Sequence, residues 1–267
     1  MTFLARREHF DRVGSTNVVV RGWLADGTPE VCLAVAAEQT AGRGRDGRTW
    51  VAPAGGALLL SLGFRPTWLE PDAVWRLAAV SSLAMADAAE RTTALPAGTI
   101  RLKWPNDLVM EASDGLRKLA GVLGETVGLG SSDPRVVVGL GINTDWAAAA
   151  FPPALAGSMT SLSVAATGRA IDDDALLEEF IGRLQGGVGA LRAGRFDAAG
   201  WSERQVTTGR TVRLERPDTV ETVRATGVDP ATGALLVADD ATSGGQRQVL
   251  VGEITHLRLA RPVAEAV

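Results

Sequence analysis

The chain has 267 residues, 46% of them hydrophobic and 22% charged, with a net charge of −4. That size supports one or two domains and buries roughly 70–75% of the unfolded surface. The balance excludes a chain-wide basic footprint for nucleic acid. The single cysteine, Cys32, excludes an intrachain disulfide, and no apolar run is long enough to span a bilayer. The segment from Met1 to Phe10 lacks the apolar stretch of a signal peptide, so a cytoplasmic setting is expected. With one Cys and two His, neither a zinc cluster nor a Cys/His dyad has support.

In chain order, Phe10 to Val13 is too short to assign. Val20, Trp23 and Leu24 then fall at helical spacing, with Ser15 or Thr16 as N-cap and Gly27 as a stop. Val31 to Ala37 predicts a buried strand, and Ala57 to Phe64 a second. Pro71 to Arg91 predicts an alanine-rich helix. Ile100 to Trp104, Leu119 to Val127 and Arg135 to Leu140 predict three more strands. Asp172-Asp173-Asp174 opens a helix whose apolar stripe is Leu177, Ile181, Leu184, Val188 and Leu191. Beyond Thr207 the segments shorten. Thr211 to Leu214, Glu221 to Val228, Ala234 to Val237 and Gln248 to Leu259 alternate with turn residues such as Pro217-Asp218 and Ser243-Gly244-Gly245. That pattern predicts a small all-β barrel behind a mixed α+β domain.

Four segments carry candidate chemistry. Gly42-Arg43-Gly44-Arg45-Asp46-Gly47-Arg48 interleaves glycine with arginine, directly after Glu38-Gln39 and before Trp50. Glycine lets backbone approach a ligand, and arginine grips carboxylate or phosphate with a planar fork. The loop reads as a lid for an anion or as a charged surface turn. It also matches the dinucleotide pattern Gly-x-Gly-x-x-Gly, which requires a helix to begin inside it. Lys103-Trp104-Pro105-Asn106-Asp107 reads as a strand end that displays a cation, an amide and a carboxylate together, or as an ordinary Pro-Asn-Asp turn. Lys118, placed just before the strand Leu119 to Val127, is either a strand-edge charge or a ligand-facing ammonium. Gly139-Leu140-Gly141-Ile142-Asn143 is a turn, or backbone packed on a ligand with an amide available.

These pieces, with Gly14-Ser15-Thr16-Asn17 ahead of them and Val251-Gly252-Glu253-Ile254 behind, resemble the biotin protein ligases. The resemblance implies an α+β fold: a central mixed β-sheet flanked by helices, like that of class II aminoacyl-tRNA synthetases, with a C-terminal SH3-like β-barrel. It divides the chain into a catalytic domain over 1–206 and the barrel over 207–267. It implies that biotin and ATP form biotinyl-5′-adenylate, and that a lysine of a biotin carboxyl carrier domain then takes the biotin. The carrier would belong to an acyl-CoA or pyruvate carboxylase. Carried over, Ser15, Thr16, Asn17 and Gln39 bind the biotin ring. Arg43, Gly44 and Arg45 fold over biotin and its adenylate, and Lys118 reaches its carboxyl end. Arg48, Trp50, Lys103, Asn106, Asp107 and Asn143 lie on the nucleotide side, and Lys118, Arg45 and Arg48 are the catalytic set. Mg2+ is expected with ATP, Asp107 being one candidate contact, and the metal ligands are otherwise unassigned.

Gly14 stands where some members carry an acidic residue, and Met110 to Leu116 lengthens the link from Asp107 to Lys118 into a longer hairpin. Only 14 residues precede Ser15, too few for the DNA-binding domain of some relatives, so a ligase without DNA or membrane partners is expected. An exposed sheet edge could support a homodimer. The alternatives are a lipoate–protein ligase, a ligand-sensing regulator without catalysis, and a Rossmann oxidoreductase.

Overall fold

The computed structural model describes residues 2–239, 245–251 and 256–259. They fall into two units. The first runs to Arg101 and resumes over Asn106–Phe196; the second comprises Leu102–Pro105 and the described residues from Asp197 onward.

The elements of the first unit begin with β1 (Arg6–Val13), α1 (Thr16–Ala25), β2 (Cys32–Gln39), β3 (Ala57–Phe64) and α2 (Trp75–Thr93). After β4 (Arg101–Lys103), which carries the chain into the second unit, come β5 (Asp107–Ala112), β6 (Gly115–Val127) and β7 (Arg135–Asn143). The short α3 (Leu162–Ala165) and the long α4 (Asp173–Arg192) complete it. The strands lie in the order β1-β2-β3-β7-β6-β5. β1 is parallel to β2 and the remaining pairs are antiparallel, so the sheet is mixed as expected.

Strand alternation divides β7 between two faces. Val137 packs with Val20, Trp23 and Leu24 of α1 and with Cys32 and Ala34 of β2. Gly139, Gly141 and Asn143 share that face. Gly63 of β3 permits the close approach of α1, since a Cβ there would stand 2.5 Å from Cys32 Sγ and 2.7 Å from Val20. All of β7 after Arg135 is buried, so Val136, Val138, Leu140 and Ile142 are covered from the other side. There α2 lies against β6 and β7 and α4 packs on α2, drawn close because Gly187 leaves room for Val80.

Several expectations need correction. Phe10 to Val13 is the end of a full strand, β1, whose charged sequence hides the period. Asp107–Ala112 is a strand that the polar corner before it concealed; with β6 it forms the longer hairpin anticipated at Met110 to Leu116. The buried stripe of α4 uses Leu176 and Phe180 beside Leu177, Leu184, Val188 and Leu191, whereas Ile181 is only half-buried.

The second unit holds α5 (Ala198–Glu203), β8 (Thr211–Glu215), β9 (Val220–Val228), β10 (Leu235–Asp239), β11 (Gly245–Val249) and β12 (His256–Leu259). Its sheet runs β11-β10-β9-β8-β12, and each neighbouring pair is antiparallel. Gln248 to Leu259 is thus two strands at opposite edges of this sheet and not one. Gly252, Glu253 and Ile254 of the C-terminal motif, and Ser243-Gly244 of the expected turn, lie outside the described residues. Trp104 is buried in this unit, its indole N–H donating to Gly233 O at 2.9 Å and its amide to Thr207 Oγ1 at 3.1 Å.

Candidate active site

The site begins at the N-terminus of α1. Ser15 is the N-cap by backbone conformation, but its side chain makes no capping bond. Gln39, at the end of β2, does that work: its Oε1 accepts the Thr16 amide at 2.8 Å and lies 3.2 Å from the Thr16 hydroxyl oxygen. One of the orphan donors of the first turn is satisfied in this way. Beneath the helix start, Ser61 of β3 is fully buried. Its hydroxyl lies 2.6 Å from Asn17 Oδ1 and 2.7 Å from Thr16 Oγ1. Asn17 lies flat on Gly139, where a Cβ would stand 2.1 Å from its Oδ1. Its Nδ2 donates to Glu125 Oε2 at 2.9 Å.

The Gly/Arg loop is a hairpin. Arg43 bridges Thr49 in antiparallel fashion, Gly44 N donates to Arg48 O at 2.7 Å, and Trp50 N donates to Gly42 O at 3.0 Å. Its tip is a single 3-10 turn, Arg45–Gly47, in which Asp46 has φ 55° and Gly47 φ 71°. Glycine is well suited to the second of these positions. No α-helix starts in the loop, so a dinucleotide cradle is ruled out here. The close packing falls at Gly42, where a Cβ would meet Trp50 O at 2.5 Å; at Gly44 it would meet Arg48 O at an ordinary 3.4 Å. Arg43 reaches Glu125 at 3.4 Å. Arg45 and Arg48 both stand 3.5 Å from Asp46. Burial lowers the Arg45 pKa, with neighbouring Arg48 acting the same way and Asp46 and Asp107 opposing it.

The loop ends in Trp50, whose indole lies across paired glycines of the sheet. Gly121 of β6 and Gly141 of β7 are register partners. A Cβ at Gly141 would stand 2.7 Å from Trp50 Cε2, and one at Gly121 3.1 Å from Cζ3. The indole N–H is buried and has no hydrogen-bond partner among the described residues. Lys118 Nζ stands 5.4 Å from the indole centroid, 3.3 Å from the Gly121 Cβ position, and 2.6 Å from Asp107 Oδ1.

Lys118 reaches this face through a register shift. Leu108 pairs with Ala120, but Val109 pairs with Lys118, leaving Leu119 as an extra residue in β6. Without it Lys118 would point to the opposite face; such bulges re-aim side chains. The same position is tied to the segment after β7: Lys118 N donates to Ser158 O at 2.7 Å and Thr160 N to Lys118 O at 2.9 Å. Lys118 therefore lies within a strand, not ahead of one.

The remaining expected residues are placed differently. Lys103 belongs to the second unit, whereas Asn106 and Asp107 belong to the first. The Asn106 amide donates to Val122 O at 2.9 Å, which gives it a structural task. The amide of Asn143 donates to Thr160 O at 2.8 Å, so the group left available is Oδ1, buried and unpartnered among the described residues. Two participants were not singled out in the sequence, Ser61 and Glu125. The signal for Ser61 was a hydroxyl inside the apolar run Ala57 to Phe64. For Glu125 it was a spacing of four from Gly121, which puts both on one strand face.

Among the described residues no cluster of three or more His, Cys, Asp or Glu could hold a metal ion. Asp107, paired with Lys118, is the one carboxylate expected near the nucleotide. Such a donor set suits a magnesium ion that arrives on phosphate and keeps its waters, not a protein-built cage. No described helix is long and apolar enough to cross a membrane.

Known proteins resemble this chain over most of its length. The profile of the Biotin/lipoate A/B protein ligase family matches residues 9–143. The biotin–[acetyl-CoA-carboxylase] ligase of Mycobacterium tuberculosis is 33% identical over 92% of this chain and 87% of its own length. The protein of that name from Paracoccus denitrificans is 35% identical over 86% and 89%. The structure of the Aquifex aeolicus biotin protein ligase, in complex with biotin and ATP, superposes with a TM-score of 0.77 at 26% identity, covering 96% of this chain and 99% of that one. The chain belongs to the biotin/lipoate A/B protein ligase family.

Proposed function

We propose that the chain is an ATP-dependent biotin protein ligase that activates biotin as biotinyl-5′-adenylate and transfers it to a lysine of a biotin carboxyl carrier domain. The observation that carries this is the ammonium of Lys118, turned onto the Gly121–Gly141 floor beside the Trp50 indole and the Arg43–Arg48 hairpin. It stands in a chain whose relatives bear ligase names. The carrier would belong to an acyl-CoA carboxylase, with a pyruvate carboxylase as the other expected source, and the protein would work in the cytoplasm.

In the first step a biotin carboxylate oxygen attacks the α-phosphorus of ATP. The new O–P bond forms as the bond to the β-phosphate oxygen breaks, and pyrophosphate leaves. Two anions must meet, so fixed cations lower the barrier most where the charge concentrates. Lys118, with Asp107 holding its position, is assigned to the carboxyl end, and Arg45 and Arg48 to the phosphate. Ser15, Thr16, Asn17 and Gln39 surround the ring. Arg43 and Gly44 cover the adenylate and exclude water from a reactive mixed anhydride. Trp50 and Asn143 Oδ1 face the base side, and Asn106 holds the turn before Asp107. Lys103 is assigned from the resemblance alone. Magnesium enters with the nucleotide. In the second step the carrier amine attacks the acyl carbon, a C–N bond forms, AMP leaves and the amine loses a proton. The nucleophile comes from the partner.

The five short antiparallel strands of the second unit support the SH3-like barrel assigned to 207–267, beside a catalytic domain over 1–206. A homodimer remains part of the proposal, and DNA does not. The deciding experiment measures pyrophosphate release from ATP with biotin, with lipoate and with neither, followed by label transfer to a carrier domain. Release with biotin and transfer is expected. Release only with lipoate, or ligand binding without release, would replace this reading.

A further inference from the structure

We infer that Glu125 is a positioning residue that couples the ring-binding corner of α1 to the Gly/Arg hairpin, and so sets how long the acyl-adenylate is retained. The inference rests on the ligase reading above.

One carboxylate receives donors from two separate elements. Oε2 accepts Asn17 Nδ2 at 2.9 Å, and Oε1 faces Arg43 Nη1 at 3.4 Å. A carboxylate only accepts, so it dictates which end of the Asn17 amide faces it. The other end, Oδ1, lies 2.6 Å from the Ser61 hydroxyl. Since Asn17 Oδ1 cannot donate, the Ser61 proton goes to it. The 2.7 Å contact between Ser61 and Thr16 is then made with the Thr16 proton. A directed chain results: Thr16 donates to Ser61, Ser61 to Asn17, and Asn17 to Glu125. It holds the Asn17 side chain flat on Gly139 and leaves its second amide proton for a ligand. Asn17 is buried, so its orientation is costly to lose.

The second contact is different in kind. Arg43 is about half exposed and Glu125 one-quarter exposed, so their attraction is weak on its own. Its effect is geometric. Arg43 is the first arginine of the hairpin and bridges Thr49 across it. Pairing Arg43 with β6 anchors the base of the hairpin to the strand that also carries Gly121 and Lys118. Glu125 lies four residues beyond Gly121, roughly 13 Å along the strand. One strand thereby carries Lys118 at one end of the site and the hairpin anchor at the other.

The two functions separate by substitution. Glu125→Gln keeps an oxygen acceptor for Asn17 and removes the charge that holds Arg43. Glu125→Ala removes both. With full-length protein, the measurements are biotin affinity without nucleotide, the escape rate of biotinyl-adenylate in the absence of carrier, and the melting temperature. Glu125→Gln is expected to weaken biotin binding less than Glu125→Ala does and to release adenylate about three- to fivefold faster than wild type, the range of a half-exposed ion pair. Glu125→Ala should also weaken biotin binding about tenfold or more, as for loss of a bond to a charged group. Adding Arg43→Gln to Glu125→Gln should change escape no further than Arg43→Gln alone. A folded Glu125→Gln protein with unchanged or slower escape overturns the inference. So does a Glu125→Ala protein that binds biotin as wild type does. If wild-type protein itself forms no adenylate from biotin and ATP, the ligase reading falls as well, and the two failures are distinguished.

Discussion

Lys118 Nζ stands 2.6 Å from Asp107 Oδ1 because one extra residue, Leu119, offsets β6 against β5 and turns the lysine onto the glycine face. Lys118→Ala is expected to slow adenylation about ten- to a hundredfold, the equivalent of losing one hydrogen bond of ~1.5–3 kcal/mol to a charged group. Lys118→Arg should not restore the rate, because the guanidinium is broader than an ammonium. Single-turnover adenylation by folded variants measures this. A Lys118→Ala rate within twofold of wild type would remove Lys118 from the chemistry.

The indole of Trp50 requires glycine beneath it. Gly141→Ala places a methyl 2.7 Å from Trp50 Cε2, while a Cβ at Gly124, on the opposite face of β6, meets nothing within 4 Å. Overpacking of this kind costs about 1–3 kcal/mol. Gly141→Ala is expected to displace Trp50 and weaken nucleotide-dependent turnover, with Gly124→Ala as the silent control. Tryptophan emission and the KM for ATP report the difference. Equal behaviour of the two variants would show that Trp50 does not rest on this floor.

In the Gly/Arg hairpin the sensitive position is expected to be Gly42, not Gly44. A Cβ at Gly42 would stand 2.5 Å from Trp50 O and push the two strands of the hairpin apart, whereas Gly44 has room for one. Trypsin cleavage after Arg43, Arg45 and Arg48 should therefore accelerate in Gly42→Ala and stay near wild type in Gly44→Ala. Faster cleavage only in Gly44→Ala would contradict the geometry.

Cys32 gives a pH signature. It is fully buried between α1 and β3, and burial pushes its thiol pKa up to about 11 from an ordinary 9.0. The folded state keeps the proton while the unfolded state releases it, so stability is unaffected below pH 9.0 and falls as pH rises towards about 11. The slope approaches ~1.4 kcal/mol per pH unit. Cys32→Ala lacks that contribution. The difference between the two denaturation curves should grow across this window, and folded wild type at pH 8 should resist thiol reagents. A flat difference would mean that the thiol is solvated.

Local features of this protein were legible in its sequence. The helix start at Ser15-Thr16, the buried strand around Cys32, the glycines of the loop and the hairpin beyond Asp107 depend on residues within a few positions of one another. The motif order pointed to the family for the same reason. The tertiary structure alone decided which groups meet. Asn17 and Glu125 are 108 residues apart, and Arg43 and Glu125 are 82 apart. It decided that Gln39 rather than Ser15 caps α1, and that the amides of Asn106 and Asn143 are occupied by backbone carbonyls. It decided the facing of Lys118 too. A strand's side-chain period is two, so one unpaired residue reverses every side chain beyond it. Whether that residue exists depends on the partner strand, which no window of neighbouring positions contains.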